Sequence, residues 1–374
     1  MIIQQQHFNL NPFEFDIFAG MDVDKRSISV TFVSHEAVLR SIKIPYDSKN
    51  LMRYVEKQFP EKRIAFVYEA GPTGFGLYDD LVAADRVCLV VSPSQTPRTA
   101  AERIKTNRVD SRKLAMALRG GELRGIHVPS VACRQLRHLT HLREVFLHQV
   151  TSTKLRIKGM LLLEGIGFPA DGNHRNQWSG EIIDRLKNLS LPEVLRFKLD
   201  QYLETLQFGK THLLESTRQT ACFCKKDPEL RECMELLMTI PGIGSTVGFY
   251  LLSRIGDWRL LTHPSQVGAL LGLVPTENST GDRTRRGSIS RMGDSVTRNK
   301  LIETSWTAIR HDPELKEFYE RIRLRHPAPV AARKAIVAVA RKLSTRIYAV
   351  LKYQRAYVIR ITKSEPQAQG ATRG

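Results

Sequence analysis

The sequence predicts an α/β domain with helices packed on a mixed sheet, then a long helical hairpin and a mostly helical C-terminal domain. Three observations lead there. Residues 15–93 alternate strand-length apolar runs with short helical patterns. Residues 131–163 and 192–217 carry leucines at helical spacing over many turns. From Leu236 onward helix follows helix, with glycine-marked turns between.

Element by element, "FDIFAGMDV", "RSISVTFVS" and "EAVLRSIKIP" read as three strands joined by short turns, an antiparallel meander. "SKNLMRYVEKQF" follows as a helix burying Leu51, Met52, Val55 and Phe59, with Ser48 as its expected cap. "RIAFVYEA" is a fully apolar strand, "GFGLYDDLVAA" a short helix and "RVCLVVSP" another strand, before a helix over Val109–Leu118. Antiparallel strands first and parallel crossovers later imply a mixed sheet. Leu136, Leu139, Leu142, Phe146 and Val150, then Leu199, Leu203, Leu206 and Leu213, predict two long helices, a hairpin suited to a coiled coil. "LLMTIPGIGSTVGFYLLSRIGD" gives two helices around a Pro-Gly-Ile-Gly turn, a helix-hairpin-helix pattern in which Gly242 and Gly244 allow close approach to a phosphate backbone. Helices over Ser265–Leu271, Ser295–His311 and Val330–Leu351 complete the chain. "KSEPQAQGATRG" reads as a disordered tail. The expected domains are 1–125, 126–235 and 236–362, with 363–374 as the tail.

Lys and Arg number 57 against 38 Asp and Glu, a formal charge of +19, which points to a polyanion. No apolar run approaches the ~20 residues of a membrane span, so nucleic acid comes before membrane. The start, "MIIQQQHFNLNPFEFD", does not read as a secretory signal, so a cytoplasmic location is expected. The five cysteines are irregularly spaced and lack a CxxC pair, so they read as reduced structural thiols rather than disulfides or zinc ligands.

Chemistry is carried by two groups of residues. Asp22 ends the first strand, Glu69 the fourth, and Asp110 opens the helix after the last strand. If the first and fourth strands are neighbours, two carboxylates lie side by side and the helix delivers the third, as at an RNase H-like site. Gathered carboxylates repel one another unless cations sit between them, and two Mg²⁺ ions suit phosphodiester chemistry. The other group lies in "VPTENSTGDRTRRGSISRMGD", where Ser279 and Thr280 precede Arg283, Arg285, Arg286 and Arg291. Hydroxyls before arginines suit a nucleophile attacking a phosphodiester whose charge the guanidiniums receive.

Asp22 in "GMDVDK", Glu69 in "EAGPTGFGLY" and "KTNRVDSRKLA" together resemble the RuvC-like domain of the DEDD-type insertion-sequence transposases. "IPGIG" and "GLVPTENSTGDRTRRGSISRMGD" resemble that family's C-terminal transposase domain. The family includes bridge-RNA-guided recombinases and pilin-gene invertase relatives. The resemblance implies a RuvC-like metal site, a serine that forms a phosphoserine link to DNA, donor and target DNA as partners, and an element-encoded bridge RNA. It also implies a prokaryotic, nucleoid-associated enzyme.

Two positions depart from the family. Its fourth acid falls at Asn107, which can ligate Mg²⁺ without adding charge. Counting back from Gly281 puts Thr280 at the family's serine, whereas the less hindered hydroxyl is Ser279, the expected nucleophile. A metal-dependent nuclease that uses water, and an inactive nucleic-acid-bridging protein, are the competing readings. Strand exchange calls for a dimer or tetramer, with the hairpin as candidate interface.

Overall fold

The computed structural model describes residues 10–93, 107–169, 178–277 and 286–359. The chain divides into two compact units, Met1–Val128 and Pro129–Gly374.

The first unit holds a five-stranded sheet of order β3-β2-β1-β4-β5. β1 (Ile17–Val23), β2 (Ser27–Ser34) and β3 (Val38–Pro45) form the antiparallel meander. After α1 (Ser48–Gln58), β4 (Ile64–Glu69) returns parallel to β1. α2 (Gly76–Ala83) then crosses to β5 (Val87–Val91), parallel to β4, and α3 (Asn107–Arg119) follows. The cap of α1 is Asp47, whose side chain accepts from Lys49 N at 2.9 Å, not Ser48. A carboxylate one residue earlier meets the open N–H groups.

Strand alternation assigns the two faces. Ile17, Ala19 and Met21 join Leu51 and Val55 of α1 and Leu77 and Leu81 of α2 on one face. Phe18, Ala65, Val67, Leu89 and Val91 pack on Leu114, Ala117 and Leu118 of α3 on the other. Both faces are covered, which explains the nearly unbroken apolar runs of β1, β4 and β5.

The second unit begins with α4 (Val131–Leu163), which runs against α6 (Glu193–Lys226). Between them the sequence hides a helix, α5 (Gly180–Lys187), capped by Ser179. Ile182 and Leu186 of α5 share a core with Val150, Ile157, Leu161, Leu199, Leu203 and Leu206. The expected seam is therefore only partly apolar core: Leu142 is exposed, and Leu203 faces its own chain.

α7 (Pro228–Met238), α8 (Ser245–Ile255), α9 (Ser265–Leu270), α10 (Ser295–His311), α11 (Pro313–Arg323) and α12 (Ala328–Tyr353) surround one core. Leu136 of α4 and Cys224 of α6 belong to it, so the base of the hairpin is continuous with the C-terminal bundle. α11 is an amphipathic helix started by Asp312 and Pro313. β6 (Pro275–Glu277) and β7 (Arg286–Ile289) form a two-stranded antiparallel ribbon between α9 and α10. All five cysteines are free thiols. Among the described residues, no helix is long and apolar enough to cross a membrane.

Candidate functional site

The register of the sheet brings Asp22 and Glu69 together. Met21 pairs with Tyr68 across the parallel β1–β4 ladder, so the next residues, Asp22 and Glu69, stand at neighbouring positions where both strands end. They share the α3 face, because Gly20 and Val67, two residues earlier, lie on that face. Asp24 stands beyond the strand end, where its carboxylate accepts from Lys25 N at 2.7 Å within an exposed turn.

Gly20 explains how closely α3 approaches β1. A Cβ at Gly20 would lie 2.1 Å from the Ser111 carbonyl oxygen and 2.3 Å from the Ala115 nitrogen, so helix and strand are in backbone contact. Asp110 precedes Ser111 in the first turn of α3, and Asp22 follows Gly20 by one strand period. The approach is stitched by hydroxyls: Ser111 Oγ lies 2.9 Å from Thr31 Oγ1, which lies 3.0 Å from Ser41 Oγ. Thr31 pairs with Gly20 and is fully buried.

The turn after Glu69 is braced as well. Tyr68 donates to the Gly74 carbonyl at 3.1 Å, and Gly74 takes a left-handed φ of 69°. Burial pushes the Tyr68 hydroxyl well above its ordinary pKa, so it remains a neutral donor.

Asp22, Glu69 and Asp110 are each half-buried. The donor set fits a hard divalent cation, which takes carboxylate oxygens. Among the described residues, no group of three or more His, Cys, Asp or Glu side chains converges on one ion position. The edge therefore presents neighbouring carboxylates rather than a closed cage. Of Asn107 only the backbone, in the first turn of α3, is described.

In the second unit, Ser279, Thr280, Arg283 and Arg285 lie outside the described residues, between β6 and β7. Arg286 is described in backbone only. The ribbon's neck is described in full. Arg291 N donates to Gly272 O at 3.1 Å, and Ser290 N to Val274 O at 2.8 Å. Gly272, at φ 64°, leaves no room for a Cβ, which would meet Arg291 C at 2.8 Å and Arg298 Nη1 at 2.9 Å. Arg298, buried in α10, donates from Nη1 to Leu271 O at 2.9 Å and Arg291 O at 3.4 Å, holding both ends of the neck. Arg291 itself is left-handed, at φ 55°, and exposed. Asp294 caps α10 by accepting from Thr297 N at 2.8 Å and pairs with Arg254 of α8 at 2.8 Å.

The two glycines of the Pro-Gly-Ile-Gly turn differ. Gly242, at φ 85°, faces α10, where a Cβ would meet Thr304 O at 2.8 Å. Its lack of a side chain serves packing. Gly244 opens α8 with free space where its Cβ would stand and no side-chain cap.

Gly20, Thr31, Ser111 and Arg298 are the site-building residues that sequence reasoning missed. A glycine inside an apolar strand was the readable signal for the first. The partners of the others are 80 and 27 residues away and leave no local pattern.

Comparison with known proteins gives a consistent assignment. Residues 19–165 match a family model described as a transposase, and residues 234–320 match the transposase IS116/IS110/IS902 family. A transposase-named protein of Sinorhizobium fredii is 28% identical over 305 residues, covering 80% of this chain and 73% of that protein. The transposase for insertion sequence element IS1533 of Leptospira borgpetersenii is 23% identical, over 65% of this chain and 70% of its own length. The pilin gene-inverting protein of Moraxella bovis is 29% identical over 136 residues, 36% of this chain and 41% of that protein.

Proposed function

This chain belongs to the IS116/IS110/IS902 transposase family, and from that premise we propose that it cuts and rejoins DNA through a phosphoserine link with help from a Mg²⁺-dependent acidic edge. The observation that carries the reading is the register of Asp22 beside Glu69, with Ser111, the residue after Asp110, pressed onto Gly20.

Asp22, Glu69 and Asp110 would hold the metal, with Asn107 adding an uncharged oxygen. When bound, Mg²⁺ would neutralise charge on the scissile phosphate and the departing oxygen. The chain's own residues do the rest. A serine hydroxyl, Ser279 in our assignment and Thr280 as its neighbour, attacks phosphorus. The Oγ–P bond forms as the sugar P–O bond breaks; the serine proton leaves, and the sugar oxygen gains a proton. Attack by the hydroxyl of another strand reverses these changes and frees the serine. Arg283, Arg285, Arg286 and Arg291 suit the negative charge on the phosphoryl oxygens. Gly244 at the open end of α8 suits a backbone phosphate, while Gly242 supports the same turn from inside.

Donor and target DNA are the substrates in this reading. An element-encoded bridge RNA pairs with both, and the +19 charge suits either nucleic acid. The working unit is a dimer or tetramer associated with the nucleoid.

The test is Mg²⁺-dependent cleavage of element-end DNA, with the RNA that co-purifies, by wild type, Asp22→Asn and Glu69→Gln. We expect either substitution to lower cleavage at least ~100-fold, since even outer partners of a metal are worth 10–100-fold. Undiminished cleavage in both variants would remove the acidic edge from the reaction. Cleavage that survives loss of both hydroxyls would instead favour a water-using nuclease.

A further inference from the structure

The C-terminal bundle holds a cavity that neither the acidic edge nor the serine loop uses. It measures about 490 Å³ and lies where the chain leaves α12 and doubles back, a size within the range of small-ligand sites. Gln354 makes the reversal in the left-handed region, at φ 49°, and its Nε2 donates to Leu351 O at 2.7 Å. Tyr357 N then donates to Thr239 Oγ1 at 2.8 Å, which pins the returning segment to the end of α7.

One wall is braced and balanced in charge. Tyr357 donates from its hydroxyl to Asp312 at 2.5 Å, and the Arg346 guanidinium lies 5.1 Å from the centre of the Tyr357 ring. Arg346 pairs with Asp312 at 2.5 Å and with Glu314 at 3.0 Å, and Lys342 reaches Glu314 at 2.8 Å. Two cations thus answer two carboxylates. The hydrogen bond from Lys342, helped by Arg346 and opposed by burial, holds the Glu314 carboxyl below its ordinary range. Glu314 therefore lines the cavity as an ionised acceptor, with lone pairs left beyond those two bonds.

The other side is open. Tyr353 lines it with a side chain that is 64% exposed, and among the described residues its ring stacks on no other ring or cation. Arg355 lines it too, is exposed, and among the described residues pairs with no carboxylate. With the wall already balanced, Arg355 gives the cavity one spare positive charge. A free ring face, a fixed acceptor and one uncommitted cation match the three parts of a single nucleotide. Every base has a π-face and an N–H donor on its pairing edge. In a duplex the neighbouring bases and the partner base cover both, so only an unpaired nucleotide can offer them.

We propose that this cavity takes one unpaired nucleotide of a nucleic-acid strand, its base stacked on Tyr353 with its N–H edge toward Glu314 and its phosphate on Arg355. Such capture rests on the chain's acting on nucleic acid and not on the serine chemistry, and binding is read without cleavage, so the two fail separately. DNA and RNA share the base and phosphate chemistry, and separate probes distinguish them.

The test measures the affinity of the full-length protein, stripped of co-purified nucleic acid and without Mg²⁺, by fluorescence anisotropy across a salt series. The probes are a DNA strand of ~12 nucleotides, the same sequence as RNA, and the matching DNA duplex, each about one to a few sites long. Tyr353→Ala should weaken at least one single strand about 10-fold, the scale of one lost base stack, and change the duplex less than ~2-fold. Tyr353→Phe should keep the wild-type affinity. Arg355→Gln should flatten the plot of log affinity against log salt for that strand by ~0.7, one phosphate contact. Thermal unfolding checks that the variants fold, as the exposure of both side chains leads us to expect. Loss on the DNA strand alone or the RNA strand alone names the strand that supplies the nucleotide, and loss on both shows that the sugar is not read. Equal single-strand affinity in wild type and Tyr353→Ala, an equal loss on the duplex, or an unchanged salt slope in Arg355→Gln overturns the proposal.

Discussion

Gly20 shows how one atom's absence sets the distance between a strand and a helix. Because a Cβ there would strike the Ser111 carbonyl at 2.1 Å, Gly20→Ala must push α3 outward. The overpacking should cost about 1–3 kcal/mol in urea unfolding, and Mg²⁺ binding should weaken as Asp110 moves away from Asp22. Thr31→Val is the gentler version. It leaves Ser111 and Ser41 without their shared partner, and we expect Mg²⁺ affinity by titration calorimetry to fall ~10-fold, with Thr31→Ser restoring it. Equal Mg²⁺ affinity in wild type and Thr31→Val would mean the hydroxyls only stabilise the fold. The positions of Asp22 and Glu69 were legible because β1 and β4 are apolar runs that close on a carboxylate. Thr31 and Ser111 were not, because their importance comes from a helix that returns 80 residues later.

Among elements, the ribbon β6–β7 and the helix α11 escaped the sequence reading for different reasons. β6 and β7 are three and four residues long, too short for alternation to register. Their direction comes from the neck, where Arg298 bonds two carbonyls and Gly272 and Gly293 turn left-handed. Arg298→Met should leave those carbonyls unpaired at about 1–3 kcal/mol each. Faster amide exchange at Ser290 and Arg291, with the rest of the bundle protected, would report it; uniform exchange throughout would show only a loss of global stability. The α11–α12 junction is held by Asp312, fully enclosed, which accepts from Arg346 at 2.5 Å and from Tyr357 at 2.5 Å. Burial alone would raise the Asp312 carboxyl. The hydrogen bonds from Tyr357 and Leu315 and the Arg346 guanidinium outweigh it and hold the carboxyl below its ordinary range. A depressed carboxylate contributes stability above its unfolded pKa, ~3.9, and loses it as pH falls through the lowered folded value. Wild type should therefore lose this contribution only below about pH 4, and Arg346→Met should cost about 3–5 kcal/mol at neutral pH.

For the whole molecule, the sequence foretold the mixed sheet and the helical remainder, and the sheet order places β1 beside β4 as the acidic pair requires. The hairpin needs a different account from the sequence seam. Leu203 lies in a core made within one chain, whereas Leu162, Leu163, Val194 and Phe197 are exposed near the hairpin's far end. If the hairpin joins copies, Leu162→Glu with Phe197→Glu should shift the mass by light scattering from oligomer to monomer and spare the fold. Unchanged mass would move the interface elsewhere.

The central claim of the proposed function is that the hydroxyl of Ser279 becomes bonded to DNA in a reaction that also needs the acidic edge. The direct measurement is a denaturing-gel search for a covalent protein–DNA adduct, formed with Mg²⁺, element-end DNA and co-purified RNA, and mapped by mass spectrometry. The account predicts an adduct on Ser279 that is absent from Ser279→Ala and from Asp22→Asn. An adduct lost only in Thr280→Ala would move the bond by one residue. Cleaved DNA with no adduct in the wild type would contradict the account.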